Sequence, residues 1–247
     1  MAAERIERRV LGALAPLSRA TASPVSAPLR VSSEQARVRR NRAGLYVILA
    51  ADGLEHHLDA FEAPPSAPAP GSLAVSFRIE DPRGRFLPRR LTLRLPRAPD
   101  PAAEDSLFHP VPVLLYPAAT APLSPNWSRI RVTLRRAGEP LRGALLRVVR
   151  LPDETVIASG ISDPRGEALL IVPGVPVTRF AEEGETADGA TPVVMNRLPV
   201  RLEVSHRERD WPVDPDRLEA EHAADLATSV ELALRTGGSE RVALNLT

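Results

Sequence analysis

A six-residue pattern, Ile-x-Asp-Pro-Arg-Gly, occurs twice in this chain, at residues 79–84 and again at residues 161–166. In a tight turn, proline at the second place fixes φ, the aspartate before it accepts a hydrogen bond from the chain, and glycine adopts the conformation that closes the turn. The pattern therefore predicts structural turns at Asp81, Pro82 and Gly84, and at Asp163, Pro164 and Gly166.

Apolar residues alternate with small or polar ones on both sides of the first copy. The alternating positions are Leu73, Val75, Phe77 and Ile79 before it, and Leu91, Leu93 and Leu95 after it. A period of two is typical of a strand that buries one face. Leu169 and Ile171 follow the second copy in the same way. Both copies are therefore predicted to be hairpin turns in two similar β units.

The spacing of strands and turns predicts the fold class. Strands separated by turns about every 8–12 residues indicate β-sandwiches, and the 26 prolines suit short strands and disfavour long helices. We predict a mainly β chain with two tandem β-sandwich domains, a short N-terminal helix and arm, and a small C-terminal helix. The predicted boundaries are residues 1–28 for the helix and arm, 29–99 for the first sandwich, 100–107 for a linker and 108–247 for the second sandwich.

The N-terminal segment has the pattern of a short amphipathic helix over residues 2–15. Ile6, Val10, Leu11 and Leu14 lie near one face of that helix. Two interpretations stay open. The helix packs on its own domain, or the segment is an arm that docks on a neighbouring subunit, with Ile6, Val10 and Leu14 as possible interface residues.

The C-terminal part is predicted to contain a helix over residues 214–227 and then a hairpin. Asp214 and Pro215 suit a helix cap and first turn. Leu218 and Leu226 are apolar points of the helix, while His222 is placed on its exposed side. The hairpin is expected around Gly237-Gly238, between the apolar positions Val230, Leu232 and Leu234 and the positions Val242, Leu244 and Leu246.

Composition excludes several classes of function. The formal net charge is +1, which gives no electrostatic reason to bind nucleic acid or an anionic membrane. The absence of cysteine excludes disulfides, thiolate metal sites and a cysteine nucleophile. No apolar run approaches the roughly 20 residues that a membrane-spanning helix needs, so no membrane insertion is expected.

The titratable residues do not form a recognisable chemical site. His56 and His57, with Glu55 and Asp59 alongside, are the nearest thing to a metal-ligand cluster, but neighbouring side chains on a strand point to opposite faces. The acidic residues Glu182, Glu183, Glu185 and Asp188 do not have the spacing of a calcium loop. A nucleophile elbow and a phosphate-binding loop are also missing from the sequence. We predict no catalytic, cofactor-binding or metal residues, no cofactor, and a protein that is not an enzyme.

Two stretches carry a resemblance to a known family. Glu139-Pro140-Leu141-Arg142-Gly143-Ala144, followed by Ser162-Asp163-Pro164-Arg165-Gly166, resembles the carboxypeptidase regulatory-like family, with Ser162 in place of the usual threonine. The resemblance covers about residues 128–175. It implies a transthyretin-like sandwich of seven strands without a catalytic role. The whole layout is similar to proteins that carry this module and accompany contractile phage tails and bacterial injection systems.

The leading hypothesis is a structural or assembly subunit of a contractile, phage-tail-like injection particle, at a baseplate, cap or sheath-attached position. Its partners are other protein subunits in several copies, and it assembles in the cytoplasm. The alternative is a secreted or surface-exposed adhesion module that binds carbohydrate or protein outside the cell. Trp127 and Trp211 lie in irregular segments, where each is either a core edge or an anchor for a partner.

Overall fold

Strands dominate the computed structural model, which describes residues 10–59, 65–175, 178–180, 193–195 and 197–246. At Asp59 and in residues 178–180 and 193–195 it describes the backbone alone. The prediction of a mainly β sandwich fold is confirmed. The chain divides into two compact units, the first up to Leu115 and the second from Tyr116 onward, with residues 19–21 and 84–87 also belonging to the second.

In its described residues, the first unit contains seven strands and one short helix. Their bounds are β1 (Gly12–Ser18), β2 (Arg30–Ser32), β3 (Ala36–Arg40), β4 (Tyr46–Ala51), α1 (Glu55–Asp59), β5 (Leu73–Glu80), β6 (Arg89–Leu95) and β7 (Val111–Leu115). One sheet has the order β3-β4-β1-β7 and the other the order β2-β5-β6.

The first strand corrects the prediction of an N-terminal helix. Residues 12–18 form β1, which pairs antiparallel with β4 and parallel with β7. Gly12, Leu14 and Pro16 are buried on one face, a period of two that small residues hide in the sequence. The part of the predicted helix before residue 10, including Ile6, lies outside the described residues.

The prediction also placed residues 108–117 at the start of the second sandwich. Strand β7 instead lies in the first unit, because its backbone pairs with β1 from Leu14 to Ser18. Val113 and Leu115 are buried there, with 0% and 1% of their surfaces exposed. The expected linker at residues 100–107 therefore lies within the first unit, between two of its strands.

The first copy of the repeated turn joins a hairpin, as the alternation predicts. β5 and β6 are antiparallel neighbours, and Ile79 lies opposite Arg89. The Asp81 carboxylate accepts a hydrogen bond from the backbone N–H of Arg83 at 3.0 Å. Gly84 has a φ of 64°, the left-handed conformation that favours glycine.

The described part of the second unit contains ten strands and one helix. Their bounds are β8 (Ser128–Arg136), β9 (Glu139–Pro140), β10 (Leu145–Arg150), β11 (Thr155–Ile161), β12 (Glu167–Val172), β13 (Thr178–Phe180), β14 (Val193–Met195), β15 (Leu198–Ser205), α2 (Pro215–Glu221), β16 (Leu226–Leu234) and β17 (Ser239–Leu246). One sheet has the order β11-β10-β15-β16 and the facing sheet the order β12-β8-β17, with β9 beside β8.

The second copy of the turn is not a hairpin, which corrects the sequence prediction. It joins β11 to β12, and these strands lie in different sheets because β11 pairs with β10 and β12 with β8. The Asp163 carboxylate accepts hydrogen bonds from the N–H groups of Arg165 at 2.8 Å and Glu167 at 3.0 Å. The carbonyl of Gly166 accepts from the N–H of Leu134 at 2.7 Å, so this turn packs on strand β8.

The C-terminal part also differs from the prediction. Asp214 caps α2, accepting from the N–H of Asp216 at 3.2 Å, and Pro215 lies in the first turn, but the helix ends at Glu221. Leu226 is not on the helix and begins β16. The expected terminal hairpin is absent, because β16 pairs antiparallel with β15 whereas β17 pairs parallel with β8 in the facing sheet.

The core of the second unit lies between its two sheets. Its fully buried members include Ile130, Val132, Leu134, Leu146, Val148, Leu170, Val200, Leu202 and Val204. They come from β8, β10 and β15, each of which has a neighbouring strand on both sides, and from β12, which pairs with β8. Apart from Leu234, the apolar side chains that β16 and β17 contribute to this core are only partly buried.

Candidate functional site

The interface residues expected from the sequence differ in their accessibility. Leu14 is 1% exposed and belongs to the core of the first unit, so it is not available to a partner, which corrects that prediction. Val10 is 37% exposed at the start of the described chain. Trp127 and Trp211 are both half-buried, which fits either of their two interpretations. Ile6 lies outside the described residues.

The two neighbouring histidines lie on a helix and not on a strand or loop. His56 is exposed and His57 is half-buried on α1. Burial, together with the charge of His56, lowers the pKa of His57. Within the described residues, no group of three histidine or acidic side chains is arranged to hold a metal ion. The acidic residues Glu182, Glu183, Glu185 and Asp188 lie outside those residues.

A buried serine, a buried histidine and a half-buried glutamate form a hydrogen-bonded chain in the second unit. His222 contacts the Ser205 hydroxyl through Nδ1 and the Glu203 carboxylate through Nε2, both at 2.9 Å. Burial raises the pKa of Glu203, but hydrogen bonds from His222 and Arg201 outweigh burial and hold that pKa below its usual value. His222 is 5% exposed, so its predicted place on the exposed side of the helix is wrong.

The residues of this chain suggest nucleophilic catalysis, but their geometry does not support it. A serine nucleophile must meet its substrate, whereas Ser205 is 3% exposed within strand β15. These hydrogen bonds of His222 therefore attach the end of α2 to β15. The position of His222 was readable from the sequence, because it follows the buried Leu218 by four residues and so shares its helix face.

A second polar cluster attaches the middle of α2. The Glu219 carboxylate lies 3.2 Å from the Tyr116 hydroxyl, 3.4 Å from Nε of Arg147 and 3.9 Å from Nη2 of Arg19. The same guanidinium of Arg19 donates to the Ser159 hydroxyl at 3.1 Å. Because the Glu219 carboxylate is shared among these three side chains, the cluster fixes the position of the helix.

The most accessible unpaired feature of the second unit is one flank of its sandwich. At the other flank, β11 lies against β12 and the connection between them closes the gap between the sheets. At this flank, β16 is the last strand of one sheet and β17 the last strand of the other. Within the described residues, neither strand has a neighbour on its outer side. We call these two edge strands the open flank.

The core is incompletely covered at the open flank. Seven partly buried apolar residues pack against the core of the second unit, and five of them are on β16 or β17. Those five are Val230, Leu232, Val242, Leu244 and Leu246. Their side chains face the core, while the alternate residues of both strands are exposed. The open flank therefore combines free backbone edges with a half-covered apolar row.

Other sheet edges carry features that discourage pairing. Natural proteins protect edges with charged residues, proline, bulges or short strands. In the first unit, β3 has three arginines, β7 contains Pro112, and β2 is three residues long. By contrast, β16 has nine residues with no proline and a single charged residue, Glu231, on its outer face. An added strand can pair along the outer side of such an edge.

Charges on the outer faces distinguish the two strands of the open flank. Glu231 is the outward charge of β16, and Arg241 is the outward charge of β17. Arg241 lies in register with Arg131 on the neighbouring strand β8. Like charges directly opposite each other on a sheet are unfavourable. A cavity of about 450 Å³ lies on this face, lined by residues that include Arg131, Thr133, Glu167 and Arg241.

Comparisons with known proteins give structural neighbours alone. No family model and no curated protein matches the chain. Its fold is similar to the Bacillus anthracis TIE protein (8% identity, TM-score 0.29), with 96% of this chain and 34% of that chain covered. It is similar to a streptococcal ancillary pilin (6% identity, TM-score 0.26; 85% and 50% covered). A third neighbour is the minor pilin of Streptococcus agalactiae (7% identity, TM-score 0.28; 95% of each chain covered).

Two of these three neighbours are pilins. The expectation of assembly in the cytoplasm is corrected by these pilin neighbours, which fit the extracellular alternative. The chain spans about a third and half of the lengths of the first two neighbours. Because these TM-scores are all below 0.5, no residue and no function is transferred from the neighbours. In the described residues, no helix is long and apolar enough to cross a membrane.

Proposed function

We propose that this chain is a surface-exposed β-sandwich module that binds another polypeptide along the open flank of its second unit. The observation that carries this proposal is the position of the partly buried apolar residues, five of seven of which lie on the two edge strands. Partly buried apolar side chains beside unpaired backbone edges are the surface that strand addition uses. A bound strand would cover this row.

Strand addition explains how such a surface would recognise its partner. An added strand forms main-chain hydrogen bonds along the sheet edge, which supply affinity, and its alternate side chains supply specificity. On β16, the side chains that face the core and meet those of an added strand include Thr228, Val230 and Leu232. The expected partner segment is extended and apolar at every second residue.

We further propose that the module has no catalytic role. The serine and histidine of its polar chain are buried, and their side chains are occupied by structural hydrogen bonds. The narrower hypotheses, a carboxypeptidase regulatory-like domain and a subunit of a contractile tail-like particle, receive no support from the neighbours named above. The proposal therefore rests on the edge strands and not on a family.

A displayed library of peptides of about ten residues, long enough to span a strand of this length, tests the proposal. Selection on the full chain at low density is expected to enrich peptides with apolar residues at alternate positions. Binding should be lost with Val230→Arg, which places a charge in the half-buried row, and kept with Ser229→Arg on the exposed face. A thermal unfolding curve for each variant confirms folding. Equal binding to both variants would overturn the proposal.

A further inference from the structure

We propose that the polypeptide bound at the open flank is a second copy of this chain. This inference rests on the proposed function, because it names the partner of the same surface. Each copy carries two free edges, β16 and β17, on the same flank. The two edges complement each other in apolar pattern and in charge, so each can serve as the partner strand of the other.

The tight turn between the two strands sets their directions. The N–H of Gly238 donates to the carbonyl of Arg235 at 2.9 Å, which places Leu234 and Ser239 at the same end of the flank. The strands therefore run in opposite directions, one in each sheet. A two-fold axis parallel to the strands brings β16 of one copy beside β17 of the other, antiparallel, and forms a second identical seam at the same time.

Register follows from the alternation of side chains. Antiparallel strands in one sheet must place their apolar side chains on the same face. The turn places Leu234 level with Ser239. Two registers close to this alignment put the apolar side chains of both strands on the same face. One of them pairs Val230 with Val242. In that register Glu231 of one copy lies directly opposite Arg241 of the other. The remaining inward pairs are Thr228 with Leu244, and Leu232 with the stem of Glu240.

This seam also removes an unfavourable feature of the single copy. Arg241 faces Arg131 in register, and Arg241 has no ion-pair partner in the described part of the chain. Glu167, the acid on this face, already contacts Arg165 at 3.0 Å. Glu231 from the other copy would supply the missing negative charge. Pairing β16 with β16 about Val230 would instead place the two Glu231 side chains on a diagonal, which is less favourable.

Charge exchange tests this inference, with sedimentation equilibrium of the full chain as the measurement. The wild-type chain is expected to form a dimer. Glu231→Arg alone and Arg241→Glu alone should each weaken the dimer by at least about tenfold, because both seams then oppose like charges. An equal mixture of the two variants should restore a dimer, since every seam in the mixed pair again joins opposite charges.

Arg135→Glu is the control, because it makes the same change of charge on the same sheet face but on the inner strand β8. It should leave the dimer unchanged. A wild-type chain that stays monomeric at several hundred micromolar, or single variants that dimerise as well as the wild type, would overturn the inference. If peptide binding still depended on Val230 in that case, the proposed function would stand with a different partner. If the chain neither dimerised nor bound peptide in a way that depends on Val230, the open flank would not be a binding surface.

Discussion

Gly166 lies directly against the carbonyl oxygen of Leu134, and a Cβ on Gly166 would stand 2.3 Å from that oxygen. No real structure tolerates so short a contact, and the neighbouring atom is rigid backbone. A Cβ on Gly84, in the first copy of the same turn, would meet nothing within 4 Å. Two turns with the same sequence therefore differ in their packing.

This difference predicts unequal effects of the same substitution. Gly166→Ala should lower the free energy of unfolding by about 3 kcal/mol or more, because it adds a backbone clash to the strain of a positive φ. Gly84→Ala should cost about 1 kcal/mol, the strain alone. Urea unfolding followed by circular dichroism measures both. Equal losses for the two variants would show that the second turn does not pack on β8 as described.

The same pair of turns shows what a sequence can predict. Alternation identifies Leu73 to Ile79 as a strand with one buried face, and the structure agrees. The sequence does not say which strand pairs with which, because sheet membership depends on contacts between distant residues. The second turn was therefore mistaken for a hairpin, and the last two strands for another.

The open flank was hidden for the same reason. Val230 and Val242 alternate with polar residues just as core residues do. Their partial exposure arises from the positions of β16 and β17 at sheet edges, which no local pattern encodes. By contrast, the cap of α2 at Asp214 and Pro215 depends on adjacent residues, and local sequence was sufficient to predict it.

The buried polar chain predicts a strong effect at His222. His222→Leu should lower the free energy of unfolding by about 2–4 kcal/mol, because the Ser205 hydroxyl and the Glu203 carboxylate each lose a partner. Adding Ser205→Ala should restore about 1 kcal/mol of the free energy of unfolding, since it removes one of the polar groups left without a partner. Chemical unfolding of the single and double variants measures this coupling. Strictly additive losses would contradict the contact.

The buried guanidinium of the first unit predicts a contrast between neighbouring arginines. Arg89 is 2% exposed and donates to the carbonyls of Leu114 at 2.7 Å and Arg90 at 3.1 Å. The two bonds come from different nitrogens, Nε and Nη1, whereas lysine carries all its donors on one nitrogen and cannot reproduce both bonds. Arg89→Lys should therefore lower the free energy of unfolding by about 2 kcal/mol. The exposed Arg90, changed to lysine, is the matched control and should cost less than about 0.5 kcal/mol. Thermal unfolding distinguishes them.

The half-buried His206 predicts a loss of stability in mild acid. Burial, then the charge of Arg136, lowers the pKa of His206 from its ordinary value near 6.5. The unfolded chain therefore binds the proton more readily, and the stability present above pH 6.5 declines as the pH falls below it. His206→Gln should flatten this decline between about pH 7 and pH 5. An unchanged pH profile of unfolding would contradict the assigned environment.

Binding of a polypeptide strand at the open flank can be detected residue by residue with amide hydrogen exchange. The full chain, labelled with nitrogen-15, is measured alone and with a peptide selected from the library. An added strand bonds to every second residue of the edge that it joins. We predict that bound peptide slows amide exchange at alternate residues within 226–234 or 239–246. Protection confined to other strands or to α2, or none at all, would contradict this prediction.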